Sequence, residues 1–314
     1  MRLAFALALT LGIAAQGGCK GFLRNAAVKT TSEVLERAQP SLQMESDYEL
    51  ARQAIPGALK TIEGFWINQP DNKRLIKILT EGYCQYGTAF VEDDWEAAKF
   101  RKDLEAIEYH NTRSTHIFTR CLNYALRSLG ARWQKELYGT PEVATKLINE
   151  TGAGSRTPMM FAGLSLGSII NHNLTRMEML SYLPLVETIM NRVIELDKKN
   201  PPANRVHAAM PYIALGMVHS ARPKAMGGDP EKAQRCFEMA LTITAAKDGT
   251  DKFLLARTLM AYRVGLATNN QKFFHDQLKQ VLMTAPSVWP EQRLANEVAH
   301  RKARRYLSKE KELF

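Results

Sequence analysis

Four separate segments of this chain repeat one spacing: Ala51, Ile55 and Ala58; Val186, Met190 and Val193; Ala233, Phe237 and Ala240; Phe274, Leu278 and Val281. Steps of four and three put each triplet on one face of an α-helix. The third triplet has the fullest context. Asp229 is suited to accept from early backbone N–H groups, and Pro230 takes the first helical position, where a missing N–H costs nothing. Upstream, Tyr212, Leu215, Gly216 and His219 supply the matching face of a preceding helix. Faces of this kind are buried only against neighbouring helices, so the pattern predicts stacked hairpins around one continuous core.

The remainder of the chain agrees. Leu75, Leu79, Tyr83, Tyr86 and Phe90 form another helical stripe, with Asp71 as its expected cap. Thr140-Pro141-Glu142 starts a helix, Pro201-Pro202 ends one, and residues 150–158 read as the clearest internal loop. In the last helix Leu294, Ala295, Val298, Ala299 and Ala303 are expected inward and the basic residues outward, as in a cap. No alternating pattern of sheet strands is visible. The expected fold is all-α: tetratricopeptide-like (TPR-like) stacked helical hairpins forming a compact superhelical bundle over residues 45–314.

The N-terminus bears on compartment. After Arg2, the apolar run Leu3 to Ala15 spans roughly 13 residues against the ~20 needed to cross a bilayer. It fits an export signal over residues 1–18. Gly17-Gly18-Cys19 resembles the end of a bacterial lipobox, with Gln16 in place of the usual aliphatic residue. Cys19 is therefore the candidate lipidation site; ordinary cleavage near Ala15 or Gly17 would leave it a plain thiol. Residues 19–44 read as a tether and lead-in helix, with Pro40 punctuating before Asp47. Lys20 supplies no acidic retention signal, so the membrane holding the anchor stays open. Cys84, Cys121 and Cys236 are odd in number and lie in apolar helical patterns without a Cys-x-x-Cys motif. They are expected to be buried inert thiols, one pairing remaining open.

Net charge is +10, with charged residues 24% of the chain. The densest basic group, Arg301, Lys302, Arg304, Arg305, Lys309 and Lys311, accompanies no nucleic-acid motif and reads as a solvated helical face. Gly163-Leu-Ser165-Leu-Gly167 matches a nucleophile elbow, but no strand–turn–helix context or oxyanion loop surrounds it. Gly152-Ala-Gly154 is an incomplete dinucleotide fingerprint. His207 and His219 lack metal-ligand spacing, and Glu92-Asp93-Asp94 reads as an ordinary acidic helix boundary. Neither a metal nor a cofactor is expected. Aromatic residues Phe65, Trp66, Tyr83, Tyr86, Trp95 and Tyr212 pack a core or line a groove.

The block Arg222-Pro-x-Ala-x-Gly-Gly-Asp-Pro-x-Lys-Ala233 resembles the T component of TPR-associated TRAP transporters. Stretches 82–94, 183–197 and 293–307, with the terminal Leu313-Phe314, also resemble that family. The resemblance runs from about residue 45 to the end. It implies a non-enzymatic periplasmic lipoprotein that docks the solute-binding (P) subunit. It also implies a homo-oligomer with an apolar pore through each bundle, carrying hydrophobic or amphiphilic solutes; Trp66, Tyr83, Tyr86 and Tyr212 are the candidate lining. Arg222 and Lys224 are the candidates for partner contact, on a loop that Gly227, Gly228 and Asp229 close; a mere spacer is the alternative. The rival functions are an exported serine hydrolase using Ser165 and a scaffold for envelope assembly.

Overall fold

The computed structural model describes residues 28–174, 176–222, 224 and 227–314. Cys19 and the expected signal segment 1–18 lie outside them. The described residues hold helices and turns and no strand, an all-α fold. In chain order the helices are α1 (28–43), α2 (Tyr48–Asn68), α3 (Lys73–Tyr86), α4 (Glu92–Arg101), α5 (Leu104–Leu129), α6 (Ala131–Glu136), α7 (Pro141–Glu150) and α8 (Arg156–Asn171). There follow α9 (Met177–Leu180), α10 (Leu183–Lys199), α11 (Arg205–His219), α12 (Pro230–Thr244), α13 (Leu254–Ala267), α14 (Gln271–Met283), α15 (Arg293–Ser308) and α16 (Glu310–Leu313). No described helix is long and apolar enough to cross a membrane.

Packing follows chain order. From α10 onward each helix lies against the next up to α15, while α3, α5 and α8 form the other flank; α15 then returns to touch α2. The α11–α12 pair is antiparallel. The Arg205 guanidinium at the start of α11 donates to the Ile243 and Ala245 carbonyls at the end of α12, and the Asp229 N–H donates to the His219 carbonyl at the opposite end. Three glycines set how closely such pairs approach. A Cβ on Gly216 would sit 2.7 Å from the Phe237 ring, one on Gly163 2.6 Å from Met190, and one on Gly265 2.9 Å from Phe274. Phe237, Met190 and Phe274 belong to the recurring triplets, whose members are all buried except Ala58, where Leu59 takes the core place.

Several local expectations are corrected. Asn72, not Asp71, caps α3, its Oδ1 accepting from the Arg74 and Leu75 N–H groups, while Asp71 is exposed beside Arg127. The helix over 28–43 continues through Pro40, whose carbonyl still accepts from Met44 N–H. The loop at 150–158 shrinks to a short turn, because a 3₁₀ turn over Ala153–Ser155 leads into α8 at Arg156. Cys84 and Cys121 are not inert thiols but a disulfide joining α3 to α5, with Cα atoms 5.4 Å apart. Nothing in the local sequence declares those two helices neighbours. Such a bond typically stabilises by about 2–4 kcal/mol. Cys236 is the one free cysteine among the described residues.

The largest correction concerns charge. Glu92-Asp93-Asp94 does not end a helix, because a π-helical turn over Gly87–Val91 carries α3 directly into α4. Nor is the basic face of α15 all solvated. Arg301 Nε donates to Asp93 Oδ2 (2.7 Å), Lys302 Nζ to Glu96 Oε2 (2.7 Å), Tyr306 Oη to Glu96 Oε1 (2.7 Å), and Arg305 pairs with Asp93. Asp93 is fully buried and Lys302 nearly so. Arg52 holds Asp94 through two hydrogen bonds of 2.8 and 2.7 Å, bringing α2 into the same network. Burial opposes ionisation of Asp93 and Glu96, but Lys302 and Arg305 outweigh it and hold both carboxyls below their usual range.

Removing one partner of a buried pair strands the other, so Asp93→Asn is expected to destabilise by about 3–5 kcal/mol in urea unfolding. Because both carboxyls titrate lower when folded, their contribution is complete above about pH 4–5 and is lost as pH falls through the folded values. The variant should therefore lose less stability than the wild type on acidification to pH 3. Equal losses would remove the network from its structural role.

Candidate functional site

Two adjoining cavities occupy the space that these helices enclose. The first, about 160 Å³, is bordered by Trp95 and Glu96 of α4, Leu164, Gly167, Ser168 and Asn171 of α8, Ala214, Met217 and Val218 of α11, Leu255, Leu259 and Arg263 of α13, and Lys302 of α15. The second, about 190 Å³, is bordered by Phe118, Phe161, His207, Met210, Phe253, Leu294 and Val298, with Gln43, Asn204 and Gln292 also on its wall. Thr88, Leu164, Ser168 and Leu255 border both. The lining is predominantly apolar, with a few polar groups spread along it, as in sites that take largely apolar ligands.

Helix α8 positions much of this lining. Arg156 at its start is buried and holds Asp197 of α10 through hydrogen bonds of 2.7 and 2.6 Å, while also donating to the His207 carbonyl of α11 (2.7 Å). At the other end His172 is buried, with Nδ1 2.9 Å from Asn111 Oδ1 and Nε2 3.2 Å from Glu92 Oε1. Helices α4, α5, α10 and α11 are thus tied to α8. His207 faces the second cavity with its ring edge-on to Phe161. Burial, reinforced by Arg156 and Lys77, pushes its pKa down to about 4. The cavity therefore presents a neutral imidazole at neutral pH.

The residues expected to matter fall in different places. Ser165 is fully buried within α8, its hydroxyl donating to the Phe161 (2.7 Å) and Ala162 (3.1 Å) carbonyls, and no strand precedes it among the described residues. That is a helix-packing serine, not the exposed tip of a strained elbow. Trp66, Tyr83, Tyr86 and Tyr212 border neither cavity. Tyr83 and Trp66 pack on Tyr124, covered by Arg120 and Arg127, while Tyr86 lies against Phe90 and accepts from Arg113 (2.6 Å). Their stripe faces α5, the helix tied to α3 by the disulfide. Trp95, named among the aromatics, does reach the first cavity.

On the α11–α12 loop Gly227 has φ +83°, a conformation that side chains resist, and Asp229 Oδ1 accepts from Lys232 N–H (2.8 Å). Lys224 is exposed and paired with Glu231 (2.6 Å); Arg222 is half-buried with its Nε unpartnered among the described residues. Ala221, where this loop begins, borders the first cavity. Sequence reasoning missed Arg263. Its trace was legible: Leu255, Leu259 and Arg263 follow one another at steps of four, an apolar helical face that ends in a cation. Among the described residues no cluster of His, Cys, Asp or Glu could hold a metal ion.

The model of a family described as TRAP transporter T-component matches residues 44–314. An uncharacterized protein of Treponema pallidum (strain Nichols) is 23% identical over 264 residues, covering 83% of this chain and 78% of that protein.

The environment of His207 makes a direct prediction. Its ring should titrate near pH 4 in NMR spectra, and the stability gained by keeping it neutral should be complete above about pH 6.5 and fade as pH falls toward 4. A midpoint near 6.5 would mean that water reaches the second cavity freely.

Proposed function

This chain belongs to the TRAP transporter T-component family, and from that premise we propose that it is a non-enzymatic, lipid-anchored periplasmic adaptor. In this reading it docks the solute-binding subunit of a TRAP system and passes apolar or amphiphilic solutes through its interior. The adjoining apolar cavities are the observation that carries it. Hairpins packed in chain order support a TPR-like superhelix, whose repeated surfaces suit docking better than catalysis. The α11–α12 loop offers the partner Arg222 and Lys224 close in sequence to Ala221, which borders the first cavity. Cys19 supplies the anchor.

Leu164 stands between the two cavities, so Leu164→Trp should abolish binding of the neutral apolar fluorophore N-phenyl-1-naphthylamine while leaving association with the solute-binding subunit intact. Converting Arg222 and Lys224 together to Ala should do the reverse, weakening association in calorimetric titration with little change in melting temperature. Undiminished fluorophore binding in Leu164→Trp would remove the conduit; unchanged affinity in the double variant would make the loop a spacer.

Anchoring is tested by fractionation. Full-length protein should enter the detergent phase, and Cys19→Ala should appear in the soluble periplasmic fraction. Identical partitioning of the two forms would refute lipidation at Cys19.

A further inference from the structure

The first cavity is apolar along most of its wall but carries two hydrogen-bond donors that the fold leaves unspent. Arg263 has no carboxylate within ion-pair distance among the described residues; its one hydrogen bond is to the neutral Asn171 Oδ1, at 3.4 Å. The Trp95 indole N–H is buried and finds no acceptor among the described residues. Both residues line the same cavity. The acids nearby are already engaged: Glu96 by Lys302 and Tyr306, and Glu92 by His172. Lys99 adds a further cation, its Nζ 4.4 Å from the centre of the Trp95 ring. Burial and the neighbouring Arg263 guanidinium hold Lys99 below the usual lysine range, against the attraction of Glu96. A buried donor such as the Trp95 N–H normally has an acceptor, and the half-buried Arg263 guanidinium is shaped to grip a carboxylate.

We propose that Arg263 and Trp95 form a binding site for the anionic headgroup of an amphiphile, a carboxylate above all, whose alkyl chain lies along Leu259, Leu255 and Leu164 toward the second cavity. This deepens the conduit reading and rests on it. Arg263 supplies the charge-assisted bonds and Trp95 the second donor. A neutral alcohol would gain the same apolar contact without the charge, and a quaternary ammonium would be repelled.

Decanoate, decanol and decyltrimethylammonium, each below its micellar concentration, serve as probes in calorimetric titration of the whole chain. Decanoate is expected to bind about tenfold more tightly than decanol, the scale of one charged hydrogen bond, and decyltrimethylammonium not at all. Arg263→Gln should reduce decanoate to the affinity of decanol while leaving decanol unchanged, which also shows the variant to be folded. Trp95→Phe, which keeps the ring and removes the N–H, should weaken decanoate several-fold and spare decanol. Equal wild-type affinity for decanoate and decanol, preference for the ammonium, or parallel loss of both ligands in Arg263→Gln would each overturn the headgroup site while leaving the conduit standing. Failure of all three probes to bind the wild type would sink the conduit and the site together.

Discussion

The buried ion-pair network between α4 and α15 fixes the rest of the architecture. Asp93 and Glu96 are carried into the interior by a helix that the π turn keeps unbroken, and they meet Arg301, Lys302 and Arg305 from the far end of the chain. Desolvating such charges is costly, and only the full set of partners offsets it. The arrangement therefore specifies position more than it adds stability: a displaced α15 would leave two carboxylates without counterions in a dry interior. Seated there, α15 contributes Leu294, Val298 and Lys302 to the cavity walls and closes the circuit of helices by touching α2.

Close packing within hairpins and open space between them have a common origin. Gly216, Gly163 and Gly265 let their partner helices approach until aromatic or long side chains fill the gap, which consumes the large residues on the paired faces. The sides that turn toward the centre, including Leu164, Leu255 and Ala214, border open space instead. What remains is a pair of adjoining cavities.

The helical class and the triplet faces were legible in the sequence because periodicity is a local property. Val186, Met190, Phe237 and Phe274 were recognisable as core from spacing alone, and the Asp229–Pro230 start from its chemistry. Long-range partners were not legible. Cys84 and Cys121 lie 37 residues apart on helices whose adjacency only the fold establishes. The acids of α4 resembled an ordinary helix boundary and the bases of α15 an ordinary solvated face, and only their mutual burial distinguishes them. Tyr83 and Tyr86, read as candidate channel lining, follow the stripe that faces α5, while the cavity walls gather residues from five or more helices, a convergence that no local pattern displays. Arg263 escaped notice because a lone cation after two leucines looks like the polar edge of an amphipathic helix.

The Cys84–Cys121 bond also alters how the molecule would bear tension. A pull on the two ends of the chain passes through the sulfur bridge and bypasses everything between the cysteines. The bypassed segment holds the π turn, all of α4 and much of α5, and with them Asp93, Asp94, Trp95 and Glu96. The separation of 37 positions corresponds to roughly 130 Å of extended chain that stays unavailable to stretching. Under load α15 can be pulled away from its carboxylates, while the helix that carries them is spared the tension itself.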